Sequence, residues 1–211
     1  MNGWFWYGTS KLQVIPYMPG TVVYRDGMLP FLYTKLKEEG KVSATFCGDN
    51  KTMDEFVAYF NRIKVMQVLC RVTSDNLYLP VGLSWVDNCR GVDGARVAMC
   101  GEAFFDGASR TRDARDLARL ALAYAFEDLR IDVLHGVQVS SNFAARNFSA
   151  KLGFKKVAEV PNYHFICGEL VDATVMMLKK TDFWPGFMDW RANQESTIKP
   201  QIPVDSDPVM A

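Results

Sequence analysis

Apolar residues recur at helical spacing along one stretch of the chain, at Ala114, Leu117, Ala118, Ala121 and Ala125. This period predicts a helix over 113–129, and its run of alanines lets it lie close on a sheet. The pattern changes on both sides of it. Residues 96–105 read as a strand, and Val133–Val139 reads as a short, mostly apolar strand covered on both faces. A second helix is predicted over 142–152, capped by Ser141 or Asn142, with Ala145, Phe148 and Leu152 on its inner face. Gly153 stands where a helix end favours a left-handed residue. Strand, helix and strand with the strands parallel make a right-handed crossover.

The earlier half follows other periods. Leu12–Ile15 and Thr21–Tyr24 are short apolar runs, one of which is predicted as the first strand. Leu29, Leu32, Tyr33 and Leu36 predict a helix over 29–39, with Pro30 near its start and Gly40 at its stop. Val42–Cys47 reads as a short strand. Thr52 and Glu55 form a capping box ahead of Phe56, Phe60 and Ile63, which places a helix at 53–63. Val65–Thr73, Leu77–Val86 and Ala95–Phe105 are strand-like runs joined by short polar turns, the pattern of an antiparallel meander.

The ends differ from this. Trp4, Phe5, Trp6 and Tyr7 form an aromatic run that either folds back on the domain or docks on a partner. Residues 181–211 hold Pro185, Pro200, Pro203 and Pro208, show no helical period, and carry five acidic and two basic side chains, a net charge of −3. They read as a tail, anchored at its start by Trp184, Phe187, Met188 and Trp190 on this domain or on a neighbour. The expected division is a domain at 1–180 and a Pro-rich acidic tail at 181–211.

Composition narrows the function classes. The 211 residues are 49% apolar with a formal net charge of zero, which gives no electrostatic case for nucleic acid. No apolar run is long enough to span a membrane, and no signal peptide is apparent at the N-terminus. Five cysteines without C-x-x-C spacing read as reduced thiols in a cytoplasmic protein. His135 and His164 lack neighbours at ligand spacing, so no metal site is expected.

Asn142-x-x-Ala145 followed by Lys151-Leu152-Gly153-Phe154 resembles the fourth motif helix of the GNAT superfamily of acyl-CoA-dependent N-acyltransferases. Pro161-Asn162-Tyr163 with Asp172-Ala173-x-Val175-Met176 resembles that family's final strand pair. Together they cover roughly 95–180. The resemblance implies an α/β fold, with a GNAT-like mixed, mostly antiparallel sheet of about seven strands flanked by helices and an extended C-terminal tail. It implies that acetyl-CoA, as co-substrate, sits between two central strands that splay apart, where main-chain groups of the first of them, Phe104 included, contact the acyl end. Asn142 falls to the cofactor side in the same pattern.

The family's pyrophosphate loop aligns with Ser109-Arg110-Thr111-Arg112-Asp113-Ala114. Ala114 keeps a small residue, but Arg112 stands in place of the first glycine and Ser109 in place of the leading Gln or Arg. A left-handed Arg112 would cost about 1–2 kcal/mol. Arg110, Arg112 and Arg115 either bind phosphate through their side chains or form a solvated helix start with Asp113 and Asp116. The family's general-acid tyrosine is replaced by Ser149, which can donate a hydrogen bond to a leaving thiolate or can simply be a small helical residue. Glu102 is a candidate base or water-holder, with a cross-strand ion pair as the alternative. Tyr163 and His164 fall near the family's acceptor mouth; His135 reads as structural.

Two functions follow from the resemblance. One is an N-acetyltransferase acting on a small-molecule or protein amine. The other is a catalytically degenerate GNAT scaffold, of phage or mobile-element type, that acts through its aromatic N-terminus and tail, as a homo-oligomer or on an assembly partner.

Overall fold

The structure is a computed structural model, and it describes residues 7–46, 52–63, 65–105, 107–108, 111–166 and 168–194. Eight strands form one sheet in the order β1-β2-β3-β4-β5-β6-β8-β7. They are β1 (Tyr7–Gly8), β2 (Leu12–Pro16), β3 (Val65–Val72), β4 (Tyr78–Arg90), β5 (Val97–Phe104), β6 (Val133–Val139), β7 (Lys155–Ile166) and β8 (Glu169–Lys179). Every neighbouring pair is antiparallel except β5 and β6. The additional strand beyond the seven expected is the two-residue β1.

Helices α1 (Met28–Glu38), α2 (Val42–Thr45) and α3 (Met53–Arg62) cover one face of the sheet. Leu32, Leu36, Phe56 and Phe60 bury there against Val68, Leu83 and Phe105. The capping box at Thr52 and Glu55 is formed. Val42–Thr45 is a single helical turn where a strand was expected. Val42 is buried in that core, and packing there outweighs the strand preference of a β-branched residue.

The other face is covered by α4 (Arg112–Glu127). Ala114, Leu117, Ala118 and Ala121 are all buried, so the alanine face brings the helix down onto the sheet. The chain then enters β6, parallel to β5, and passes through α5 (Phe143–Lys151). Gly153 has φ +97° just after α5, the left-handed position read from the sequence. The hairpin β7–β8 closes the sheet, with β8 inserted beside β6.

The first part of the predicted tail is folded. Lys180–Ala192 form α6. Phe183 and Phe187 are buried in the α4-side core, and Phe183 packs on Phe126 at 5.1 Å between ring centroids. Phe183, Phe187 and Trp190 stand at i, i+4 and i+7, a helical period that Pro185 and the later prolines obscured. Trp184 is also packed on this core, whereas Met188 is exposed. The anchor is thus on this domain. The aromatics at 4–6 and the chain from 195 onward lie outside the described residues. Tyr7 packs edge-on against Tyr124 of α4.

Candidate functional site

The parallel pairing of β5 with β6 is short. It runs through Val97, Ala98 and Met99 against Val133, Leu134 and His135, and then ends. Beyond it β5 stays paired with β4, and β6 stays paired with β8. The two strands therefore diverge, and the gap is a cavity of about 410 Å³ roofed by α5. Gly136 stands just past the last pair and lines the cavity. A Cβ there would meet only the Cys100 carbonyl oxygen, at 3.7 Å, so the missing side chain leaves space without relieving a clash.

The β5 wall carries Glu102 and Phe104. Glu102 lies directly opposite Ser84 of β4, which in turn lies opposite Gln67 of β3. The Ser84 hydroxyl donates to Gln67 Oε1 at 2.6 Å, and both residues are buried. Among the described residues no cation pairs with Glu102, so the cross-strand ion pair is not formed. Burial pushes the Glu102 carboxyl up to about 8. Cys100, on the same face, is pushed above its ordinary range by burial and by Glu102, which keeps its thiol protonated and inert. Lys41 closes one end, donating from Nζ to the Phe104 carbonyl oxygen at 2.8 Å and pairing with Glu39.

The opposite wall comes from β6 and α5. Asn142 caps α5, its Oδ1 accepting from the Ala145 N–H at 3.1 Å. Phe148 meets Phe104 edge-on across the cavity at 5.8 Å. Ser149 accepts a hydrogen bond from Gln138 Nε2 at 2.5 Å. The structure thus brings Glu102, Phe104, Asn142 and Ser149 to one cavity.

Other expected residues are elsewhere. Tyr163 does not line the cavity; it is exposed on an irregular stretch of β7, edge-on to His164 at 4.8 Å. Ala114 is buried on the inner face of α4 and Arg112 is the first residue of that helix, so Arg112 is right-handed and carries no left-handed strain. Its side chain is 72% exposed and pairs with Asp116 at 3.5 Å, while Asp113 pairs with Arg71 at 2.9 Å. Thr111 caps α4 through the Ala114 N–H. Ser109 and Arg110 lie outside the described residues. Among the described residues of this loop the left-handed one is Gly107, with φ +70°, two positions ahead of the aligned segment.

Among the cavity residues that escaped the sequence reading are three polar side chains, Lys41, Thr45 and Gln138. Gln138 had a usable signal, as an amide in an otherwise apolar strand. Lys41 and Thr45 had none, since they reach β5 only through the packing of α2. Among the described residues no group of acidic, His or Cys side chains can hold a metal, and Cys70, Cys89 and Cys100 are free. No described helix is long and apolar enough to cross a membrane.

No family model matches the sequence. No curated protein matches it either. Solved structures do match. A spermidine N-acetyltransferase from Vibrio cholerae, in complex with CoA and spermine, aligns at 18% identity and TM-score 0.66, covering 82% of this chain and 98% of that one. A GNAT-family acetyltransferase from Bacillus anthracis aligns at 12% identity and TM-score 0.64, covering 83% and 99%. A ribosomal-protein-S5-alanine acetyltransferase from Vibrio fischeri aligns at 13% identity and TM-score 0.62, covering 85% and 99%. The fold of this chain is that of the GNAT superfamily, in agreement with the motifs at Asn142–Phe154 and Pro161–Met176.

Proposed function

We propose that the protein is an N-acetyltransferase that moves an acetyl group from acetyl-CoA to a small-molecule primary amine. The observation that carries this reading is the divergence of β5 and β6, which opens a cavity with Glu102 on one wall and Ser149 on the other. The residues fit an acyl-thioester arm. Past Met99 the β6-facing edge of β5 has no strand partner, so main-chain groups are available to the amides of the arm. Phe104, Phe148 and Leu152 offer apolar surface beside it. Further support comes from the Vibrio cholerae protein, whose complex holds CoA and an amine on the same fold.

The roles follow from chemistry. The amine nitrogen attacks the thioester carbonyl carbon, a C–N bond forms, the C–S bond breaks, and the amine proton ends on the thiol product. Glu102 takes up that proton in its carboxylate form. Because burial raises its carboxyl to about 8, this form grows as pH rises through that value. Ser149 offers a hydrogen bond where negative charge develops on the departing sulfur. Arg112, exposed at the start of the helix that follows β5, is a candidate phosphate contact.

The scaffold reading rests on the aromatic ends filling this cleft or docking on another subunit. Of the tail aromatics, Trp184, Phe187 and Trp190 pack on the α4-side core, and none lines the cavity. Calorimetric titration with acetyl-CoA tests the proposal, with CoA and ATP as controls. Micromolar binding that requires the pantetheine arm, followed by thiol release with a panel of amines, is expected. No binding at millimolar acetyl-CoA overturns it.

A further inference from the structure

Gln138 lies past the end of the β5–β6 pairing, on the same face of β6 as Leu134 and Gly136. It lines the cavity, yet its side chain does not point at solvent as an unremarkable polar residue would. Its Nε2 donates to Ser149 Oγ at 2.5 Å, and its Oε1 is buried with no protein partner. Leaving a carbonyl oxygen buried and unpaired costs about 1–3 kcal/mol. A simple packing role gives no return for that, because methionine or leucine would fill the same space.

The consequence falls on Ser149. A hydroxyl has one proton and two lone pairs. A serine inside a helix ordinarily turns its proton back to the carbonyl four residues earlier, here that of Ala145. Ser149 makes its hydrogen bond as an acceptor from Gln138, so its proton is not consumed by that contact. We infer that Gln138 is a positioning residue for acyl transfer: its amide N–H holds the Ser149 oxygen from one side and directs the serine's proton into the cavity, toward the departing sulfur. This rests on the acetyltransferase reading. The unpaired Oε1 stands in the same wall as an acceptor for an N–H that arrives with substrate.

Reversing the amide would have the opposite effect, because Ser149 would then give its proton to the Gln138 carbonyl. Gln138→Glu separates the two arrangements. A carboxylate at 138 can only accept, so it withdraws the proton if the proton was in the cavity, and changes little if it was already given away. Gln138→Met keeps the volume and removes both polar atoms without adding charge.

The test uses the full chain with CoA itself. The thiol of bound CoA is titrated by its ultraviolet thiolate absorbance, which needs no turnover. Ser149→Ala is expected to weaken thiol ionisation about tenfold, the loss of one hydrogen bond to charged sulfur. Gln138→Glu and Gln138→Met are expected to weaken it in the same direction; Gln138→Met added to Ser149→Ala is expected to do nothing more, whereas the carboxylate of Gln138→Glu also repels the thiolate directly. In steady-state assays the same variants lower kcat with the KM for acetyl-CoA within about twofold. If both Gln138 variants titrate like the wild type, or if the effect of Gln138→Met persists in full without Ser149, the positioning role is overturned while the acetyltransferase reading stands. If the wild type binds no CoA, both fall together.

Discussion

α4 and α5 each follow a strand of the parallel pair, yet they do different work. Ten residues of α4 are buried, and none of α5 is. α4 holds the sheet together through an alanine face that admits no added volume. α5 rests over a gap, touching the far wall through Phe148, and Ser149 and the capping Asn142 line the cavity. A helix laid over an opening trades packing for access, and here that access is where the candidate chemistry sits.

The largest effect is expected on the β5 wall that α5 faces. Glu102→Gln should lower kcat/KM by about 10²–10⁴-fold and remove the acid limb of the pH–rate profile near 8. It also changes stability. Between the ordinary value of 4.5 and the folded value of about 8, the folded protein binds a proton that the unfolded chain does not. Stability therefore falls as pH rises through that window, and Glu102→Gln should flatten the decline in thermal melts. A variant that keeps the wild-type pH–rate profile would remove Glu102 from the mechanism.

The next effect tests the contrast between the helices directly. Ala118→Leu places three carbons into a fully buried site on α4 and should cost about 1–3 kcal/mol in denaturant unfolding. Ala150→Leu makes the same change on an exposed position of α5 and should stay within about 0.5 kcal/mol. Equal losses at both sites would mean that α5 is a packed helix and not a roof.

The smallest effect concerns the start of α4. Arg112→Glu exchanges an exposed ion pair, worth about 0–1 kcal/mol, for like charges beside Asp116. Its melting temperature should barely move, while acetyl-CoA affinity should fall about tenfold if the arginine meets phosphate, a contact of the charge-assisted kind. Unchanged affinity in calorimetry would leave Arg112 as the solvated helix start that its pair with Asp116 already describes.

Much of this was legible along the chain because it is local. The capping box at Thr52, the alanine face of α4, the Asn142 cap and the left-handed Gly153 each depend on neighbours within one helical turn. Two local readings failed where distant contacts decided the outcome. Val42–Thr45 became helical on the core beneath α1 and α3, and α6 formed around Phe183 and Phe187 despite Pro185. Tyr163 matched a motif, but an irregularity in β7 turned it to solvent.

The sequence by itself determined the central elements from α3 to β8, their order and the parallel crossover, because hydrophobic period and caps act over a few residues. Only the tertiary structure decided that β5 and β6 part after Met99 and His135. It alone placed Lys41 on the Phe104 carbonyl across 63 positions and set Gln138 against Ser149. The burial that raises Glu102 is likewise a property of the assembled walls, since a carboxyl is pushed upward by the water that surrounding residues remove, and no single segment removes it.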